Sequence, residues 1–228
     1  MSAESEKPVR FVSAVARVSA IIGVLVALAW PFAVSLFARG NGSSLTSVHD
    51  DLRKMAIEWS VVAVLAAIAF GLQRLSPRVL RLRGIGWRDV LFAFGGLVAA
   101  LVLSGAVSGR VAAPKFDLRQ LAQVPIALRV CLVLTAAICE EFIYRGFAIE
   151  ELGALTGSRW IGALASLAFF ALGHVRVYGF STALLIPASV GLVITLLYMF
   201  RNNLPVCMLV HGGMDGLFLI LVPALLHR

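Results

Sequence analysis

The sequence predicts an all-α fold, a polytopic transmembrane helix bundle with about seven spans. Composition is the first reason: 60% of the 228 residues are hydrophobic, only 14% are charged, and the mean hydropathy is +0.94. A soluble domain is about half apolar and about a quarter charged. Arrangement is the second reason, because uncharged stretches long enough to cross a bilayer alternate with short charged loops.

Residues 1–117 are expected to form an N-terminal part of three spans and their loops. The first span lacks a clear signal-peptide cleavage site, so we interpret it as a retained helix. A polar loop that ends at Asp51 precedes a short second span, and Glu58 and Arg74 at its ends are expected to extend towards the membrane surface. The three spans are predicted at residues 18–38, 59–72 and 90–109.

An arginine-rich loop predicts the orientation of the bundle in the membrane. Lysine and arginine are enriched in loops on the cytoplasmic side, which places this loop inside the cell and the protein in a plasma membrane of bacterial type. The net charge of +8 is then explained by anionic lipid, and a nucleic-acid partner is not expected. The loop contains five arginines: Arg74, Arg78, Arg81, Arg83 and Arg88.

Residues 118–228 are expected to form a second part of four spans, and this part carries the candidate site. Its first helix, over residues 118–155, has a polar tail with Glu150 and Glu151 that is expected to protrude into water. Three further spans are predicted at residues 160–174, 177–200 and 204–226.

Two adjacent carboxylates and an arginine interrupt this apolar sequence. Charged residues inside a membrane segment are costly, and they are usually paired and functional. Glu141 and Arg145 are one helical turn apart and can form an ion pair, whereas Glu140 points about 100° away from Glu141. One carboxylate is thereby neutralised and the other is left for chemistry. The alternative is an ordinary ion pair at the membrane surface.

Two histidines fall at the same depth as these carboxylates. Glu140 and His174 are equally far along the chain from Gly157, the expected apex of a helical hairpin. At about 1.5 Å per residue, both lie about 25 Å from that apex. His211 enters the same half of the bilayer on the last span, and Asp215 follows one turn later on the same face. Three spans therefore bring polar groups to one level near the cytoplasmic side.

A carboxylate and two histidines in an apolar pocket suit the attack of water on a carbonyl group. The glutamate acts as general base, and the imidazoles hold the oxyanion. The same three residues, Glu140, His174 and His211, also match a two-histidine, one-carboxylate site for zinc or another divalent metal. A third interpretation is a non-catalytic membrane protein, a scaffold or a proton-linked transporter that uses the buried carboxylates as a relay.

Three short motifs resemble those of the CPBP family, and the resemblance covers roughly residues 120–220. The family comprises CAAX prenyl endopeptidases of the Ras-converting-enzyme type together with bacteriocin-processing and abortive-infection-like proteins. The resemblance implies an α-helical intramembrane endopeptidase that acts on a peptide or membrane-protein substrate, lipidated in some members. The motifs are Glu140-Glu141-x-x-x-Arg145, Phe170-x-x-x-His174 and His211-x-x-x-Asp215.

The resemblance also implies a role for each motif residue. Glu140 activates water, supported by Glu141 and Arg145. His174 helps to position the water, and His211 with the third-motif polar residue stabilises the oxyanion. The family is described as metalloproteases, but a metal-independent glutamate mechanism fits the same residues.

Asp215 departs from the family pattern, since the third motif commonly ends in asparagine. On one hypothesis Asp215 acts as a neutral hydrogen-bonding group in the oxyanion pocket. On the other its charge is needed, either to bind a metal or to orient His211. Phe170 is either a packing residue one turn before His174 or part of the site.

Overall fold

The computed structural model describes residues 13–37, 48–111 and 123–226. Within these ranges the regular structure is helical and no strand occurs, so the predicted all-α fold is confirmed. We number the helices α1 (Ala14–Phe37), α2 (Val48–Leu72), α3 (Trp87–Ser108), α4 (126–156), α5 (Arg159–Gly173), α6 (Val175–Tyr178), α7 (Leu185–Arg201) and α8 (204–226).

Five of the described helices are long and apolar enough to cross a membrane: α1, α2, α3, α7 with the turn before it, and α8. Helix α5 is apolar but has only 15 residues, and α4 carries several charged side chains. With these two, the described residues contain a long helix at each of the seven predicted positions. The two-part division at residue 117 stays a prediction, and helices of both parts pack together, α3 against α7 and α8, and α1 against α4.

The predicted boundaries of the second span are wrong. Helix α2 begins at Val48, and its 25 residues include Glu58 near the middle. Asp50 and Asp51 lie in the first turn, where negative side chains interact favourably with the helix dipole. Glu58 does not extend to the membrane surface, because it is buried with 1% of its side chain exposed.

The sixth span begins later than predicted. The chain after α5 forms the short helix α6 and then turns at Gly179, whose φ of +70° favours glycine. Ser181 accepts a hydrogen bond from the backbone nitrogen of Ala183 (3.2 Å) and starts the helical turn that leads into α7. No charged residue marks this turn, so the uncharged stretch from residue 177 concealed it.

Glu150 and Glu151 in the tail of α4 do not protrude into water, although Thr156 and Gly157 at its end are exposed. Glu150 and Glu151 are buried, with exposed fractions of 6% and 1%. Glu150 Oε1 accepts hydrogen bonds from Arg159 Nη2 (2.7 Å), Tyr198 Oη (2.9 Å) and Arg81 Nε (3.3 Å). These bonds tie the end of α4 to α5, to α7 and to the arginine-rich loop.

The arginine-rich loop packs on the turn between α7 and α8. Asn202 ends α7 in the left-handed conformation, with φ of +50°. The next residues bond to the loop: Leu204 N donates to Arg81 O (3.0 Å), and Asn203 Nδ2 donates to Gly84 O (3.2 Å). The loop, this turn and the α4–α5 hairpin therefore lie at the same end of the bundle. Residues 39–47 of the polar loop predicted before the second span lie outside the described residues. The same holds for residues 1–10, where the sequence predicts a polar start, and for residues 112–117 of a loop predicted at 110–117.

Candidate active site

The Glu-Glu motif lies in the most buried part of α4. Glu140 is 7% exposed, and Glu141 and Arg145 are fully buried. Two π-helical segments flank Glu141, Ala136–Glu140 and Phe142–Ile149. Such wide turns are rare within α-helices and are frequent at functional sites. Ser166 of α5 supports this backbone, because its hydroxyl donates to the carbonyl oxygen of Tyr144 (2.6 Å).

Glu141 is held by two partners at once. Arg145 donates from Nη1 to Glu141 Oε1 (2.9 Å), and His211 Nδ1 lies 2.8 Å from the same oxygen. The ion pair predicted from the helical spacing is therefore present, but it is not the surface pair considered as an alternative. Since a carboxylate oxygen accepts, Nδ1 of His211 carries the proton and Nε2 is directed away from Glu141.

Arg145 also fastens α7 to the site. Its Nη2 donates to the carbonyl oxygen of Gly191 (3.2 Å), and its guanidinium group lies 4.3 Å from the ring centre of Phe170. A Cβ atom at Gly191 would lie 2.8 Å from the Phe170 ring, so glycine is needed for this close approach. Loss of Arg145 would therefore remove an ion pair, a backbone hydrogen bond and an aromatic contact together.

Phe170 is the central packing residue of the site. Its ring is 2% exposed and lies 4.7 Å from the ring of His174, 5.4 Å from that of Tyr144 and 6.0 Å from that of His211. These contacts confirm the packing role weighed from the sequence, and they place Phe170 between the two imidazoles. A special role in the site stays a prediction.

His174 is oriented by the backbone of its own helix. It follows the last residue of α5, and its Nδ1 lies 2.8 Å from the carbonyl oxygen of Phe170. A carbonyl oxygen only accepts, so Nδ1 donates and Nε2 is left as an acceptor in the neutral ring.

Glu140 differs from its neighbour in having no such partner. In the described ranges, no ion pair or hydrogen bond engages its carboxylate. It lies within electrostatic range of both site histidines, His174 and His211. Of the two adjacent carboxylates, Glu141 is therefore held by two partners, whereas Glu140 is not engaged by a described residue.

Asp215 lies at the edge of the site. Its Oδ2 is 3.6 Å from His211 Nε2, which is longer than a hydrogen bond, and 30% of its side chain is exposed. The structure thus brings all six predicted residues together, namely Glu140, Glu141, Arg145, His174, His211 and Asp215. Their catalytic roles stay predictions.

The arrangement does not provide a ready metal site. Among the residues that the structure describes, no three His, Cys, Asp or Glu side chains are placed so as to hold a metal ion. The zinc or other divalent metal suggested for Glu140, His174 and His211 stays a prediction.

Sequence reasoning missed two residues beside the site, Lys54 and Glu58 of α2. Their charges act on Glu140, and they form an ion pair of 3.4 Å with each other. The available signal was a lysine and a glutamate four residues apart at the edge of an apolar stretch. The second span predicted at residues 59–72 excludes both residues, whereas the helix begins at Val48.

Comparison with known proteins gives one family. Residues 122–217 match the family model described as Rce1-like, type II CAAX prenyl endopeptidase. This segment contains all six predicted site residues, so the resemblance inferred from the three motifs is confirmed. Neither the curated proteins nor the solved structures provide a match.

Proposed function

Because residues 122–217 belong to the Rce1-like family of CAAX-type proteases, we propose that this chain is an intramembrane endopeptidase in which Glu140 activates water. The substrate is a membrane-associated peptide, as the family implies. One observation is the main support for the glutamate mechanism. Glu141 is held by Arg145 and His211, whereas the adjacent carboxylate of Glu140 is buried and unengaged among the described residues.

In the proposed reaction, Glu140 accepts a proton from a water molecule as the water oxygen attacks the carbonyl carbon of the scissile bond. His174 orients this water through Nε2, because its Nδ1 is occupied by the Phe170 carbonyl oxygen. The proton then passes from Glu140 to the leaving nitrogen, and the C–N bond breaks. The products are a carboxylic acid and an amine, so atoms and charges balance.

We assign the oxyanion to His211. In its imidazolium form both ring nitrogens carry protons, and Nδ1 is already held by Glu141. Nε2–H is then free to donate to the negative oxygen of the tetrahedral intermediate, which is where fixed donors have their largest effect. Asp215 lies beside this nitrogen and can add a second donor only when its carboxyl group is protonated.

The experiment that tests the function is a cleavage assay with a peptide library. Membranes that contain the wild-type protein are incubated with prenylated CAAX-type, leader-type and unmodified peptides, and products are identified by mass spectrometry. We expect cleavage of at least one class by wild type and none by Glu140→Ala. Equal cleavage by both proteins would contradict the proposal.

Replacement of Asp215 separates the two hypotheses for its role. We expect Asp215→Asn to retain activity, because an amide supplies a neutral donor of the same shape. Its activity should also extend to higher pH, since an amide donates at every pH and a carboxyl group only when protonated. Asp215→Ala should lose most activity. The measurement is kcat/KM against pH for the three proteins.

The opposite result has a clear meaning. An inactive Asp215→Asn protein that remains folded shows that the negative charge is needed. If wild-type protein then contains bound metal and Asp215→Asn does not, the metalloprotease interpretation is favoured.

We also propose that the site lies near the cytoplasmic side, because the arginine-rich loop lies at the end of the bundle that carries the α4–α5 hairpin. Single cysteines at Ser76 or Gly86, in a protein without its native cysteines, should be shielded from impermeant thiol reagents in intact cells. A cysteine at Ser44, which lies outside the described residues, should be labelled. The reverse pattern would place the site at the outer face.

A scaffold or proton-linked transporter remains the second candidate. A relay needs ionisable groups spaced across the bilayer, and the buried Glu150 and Glu151 extend the series of acidic residues on α4. However, Glu150 is bonded to two arginines and a tyrosine, which suits a structural role. Pyranine-loaded proteoliposomes distinguish the two, since a transporter acidifies the lumen and a protease does not.

A further inference from the structure

Two charged residues of α2, Lys54 and Glu58, lie beside the site but outside the matched residues 122–217. Glu58 is 1% exposed, and the ammonium group of Lys54 lies 3.4 Å from its Oε1. The Lys54 side chain is 49% exposed, so the pair leads from the surface of the bundle into its core. A buried carboxylate is costly unless it is paired or used.

Helix α2 is fixed beside α4 at the level of the site. Trp59 Nε1 donates to Thr135 Oγ1 (3.2 Å), and Thr135 directly precedes the π-helical segment that ends at Glu140. Helix α2 also packs against both π-helical segments of α4, so its buried Glu58 lies beside this same part of α4. The charges of Lys54 and Glu58 both interact with that of Glu140.

The site contains more carboxylates than permanent cations. Arg145 is one of these cations, and it is committed to Glu141 and to the backbone of Gly191. Lys54 is the other in the described part of the site, and its charge acts on Glu140, His174 and Asp215. The carboxylates are Glu58, Glu140, Glu141 and Asp215.

We propose that Lys54 is a positioning residue of the active site. Held by Glu58, its ammonium group keeps the carboxylate of Glu140 aligned for water activation through charge attraction. This inference rests on the proposed endopeptidase function. It assigns a part of the site to the N-terminal half of the chain, so the matched segment alone does not contain the complete site.

Steady-state kinetics with the substrate found in the library assay test the inference. We expect Lys54→Met to lower kcat on the order of 10- to 100-fold, as misplacement of a catalytic group does, while KM changes by less than about 3-fold. Lys54→Arg should recover most of kcat, because it restores a cation at the same position. A wild-type kcat in Lys54→Met would overturn the inference.

The neighbouring Arg53 provides a matched control. It lies on the same helix and lines an open groove with Val26 and Ala56. Arg53→Met removes a positive charge one residue away from Lys54, and we expect it to leave kcat unchanged. An equal loss in both variants would show a general effect of charge and would overturn the specific role of Lys54.

A second measurement does not depend on cleavage. The melting temperature in detergent is compared for Lys54→Met, Glu140→Gln and the double variant. If the two charges attract each other, Lys54→Met lowers the melting temperature less in the Glu140→Gln background, by on the order of 3 °C per kcal/mol of coupling. Additive shifts overturn the inference whatever the cleavage assay gives. If the shifts of the variants are non-additive but the wild-type protein cleaves no peptide, the endopeptidase function is overturned instead. The catalytic use of Lys54 is then overturned with it.

Discussion

Glu140→Gln is expected to lower kcat by about 10²- to 10⁴-fold, the usual loss when a general base is removed. The amide has the shape of the carboxylate but cannot accept the proton of water. Because the Glu140 carboxylate makes no ion pair or hydrogen bond among the described residues, the fold should tolerate the change. The measurement is kcat for the substrate found in the library assay, with purified protein whose melting temperature is also recorded.

Glu151→Gln is the matched control for this variant. Glu151 lies on the same helix, is 1% exposed and bonds to Gln73, which donates from Nε2 to Glu151 Oε2 (3.3 Å). It has no contact with the histidines of the site in the described residues, so Glu151→Gln should keep kcat within a few-fold of wild type. A folded Glu140→Gln protein that cleaves at the wild-type rate would remove Glu140 from the role of base.

The number and order of the long helices were predictable because membrane spans depend on local composition. Uncharged runs alone located α1, α3 and α8 to within a few residues. The start of α2 was missed because its first turns carry Asp50, Asp51 and Lys54, which resemble a loop. These charges are compatible with the helix, since the aspartates lie at its N-terminus and Lys54 pairs with Glu58.

Burial of the α4 tail could not be predicted from its own residues. Glu150 and Glu151 look like surface residues in sequence, and their partners come from distant parts of the chain. Arg81 reaches Glu150 from the arginine-rich loop, and Gln73 reaches Glu151 from the end of α2. A local pattern contains no information on such partners, so the protruding tail was the expected but wrong result.

The convergence of the six candidate residues was predictable because ionisable groups are rare in membrane segments and stand out. The bonding partners of these residues were only partly predictable. Helical spacing predicted the pairing of Glu141 with Arg145, but the second bond of Glu141, to His211, depends on the packing of α8 against α4. The π-helical segments around Glu141 were also not predictable, because no local sequence pattern marks them, and one of their carbonyl groups, that of Tyr144, is bonded by Ser166 of another helix.

Arg145→Ala is expected to lower the stability of the folded protein as well as its activity. The variant removes the permanent positive charge that pairs with buried Glu141 and leaves only its bond to His211, and loss of one partner of a fully buried ion pair costs about 3–5 kcal/mol. It also removes the hydrogen bond to Gly191 and the contact with Phe170. The measurements are the melting temperature in detergent and kcat/KM. An unchanged melting temperature would show that the Glu141–Arg145 pair is exposed to solvent at the membrane surface.

A double variant separates charge from packing in this prediction. Glu141→Gln combined with Arg145→Met removes both charges, fills the space of the arginine stem and keeps an amide oxygen to accept from His211 Nδ1. Since paired buried charges are often replaced by neutral groups at little cost, most of the lost stability should return. Activity should not return, because the amide holds the His211 imidazolium less strongly than the carboxylate does. If activity returns with stability, Glu141 and Arg145 only support the fold, and the oxyanion assignment to a charged His211 is wrong.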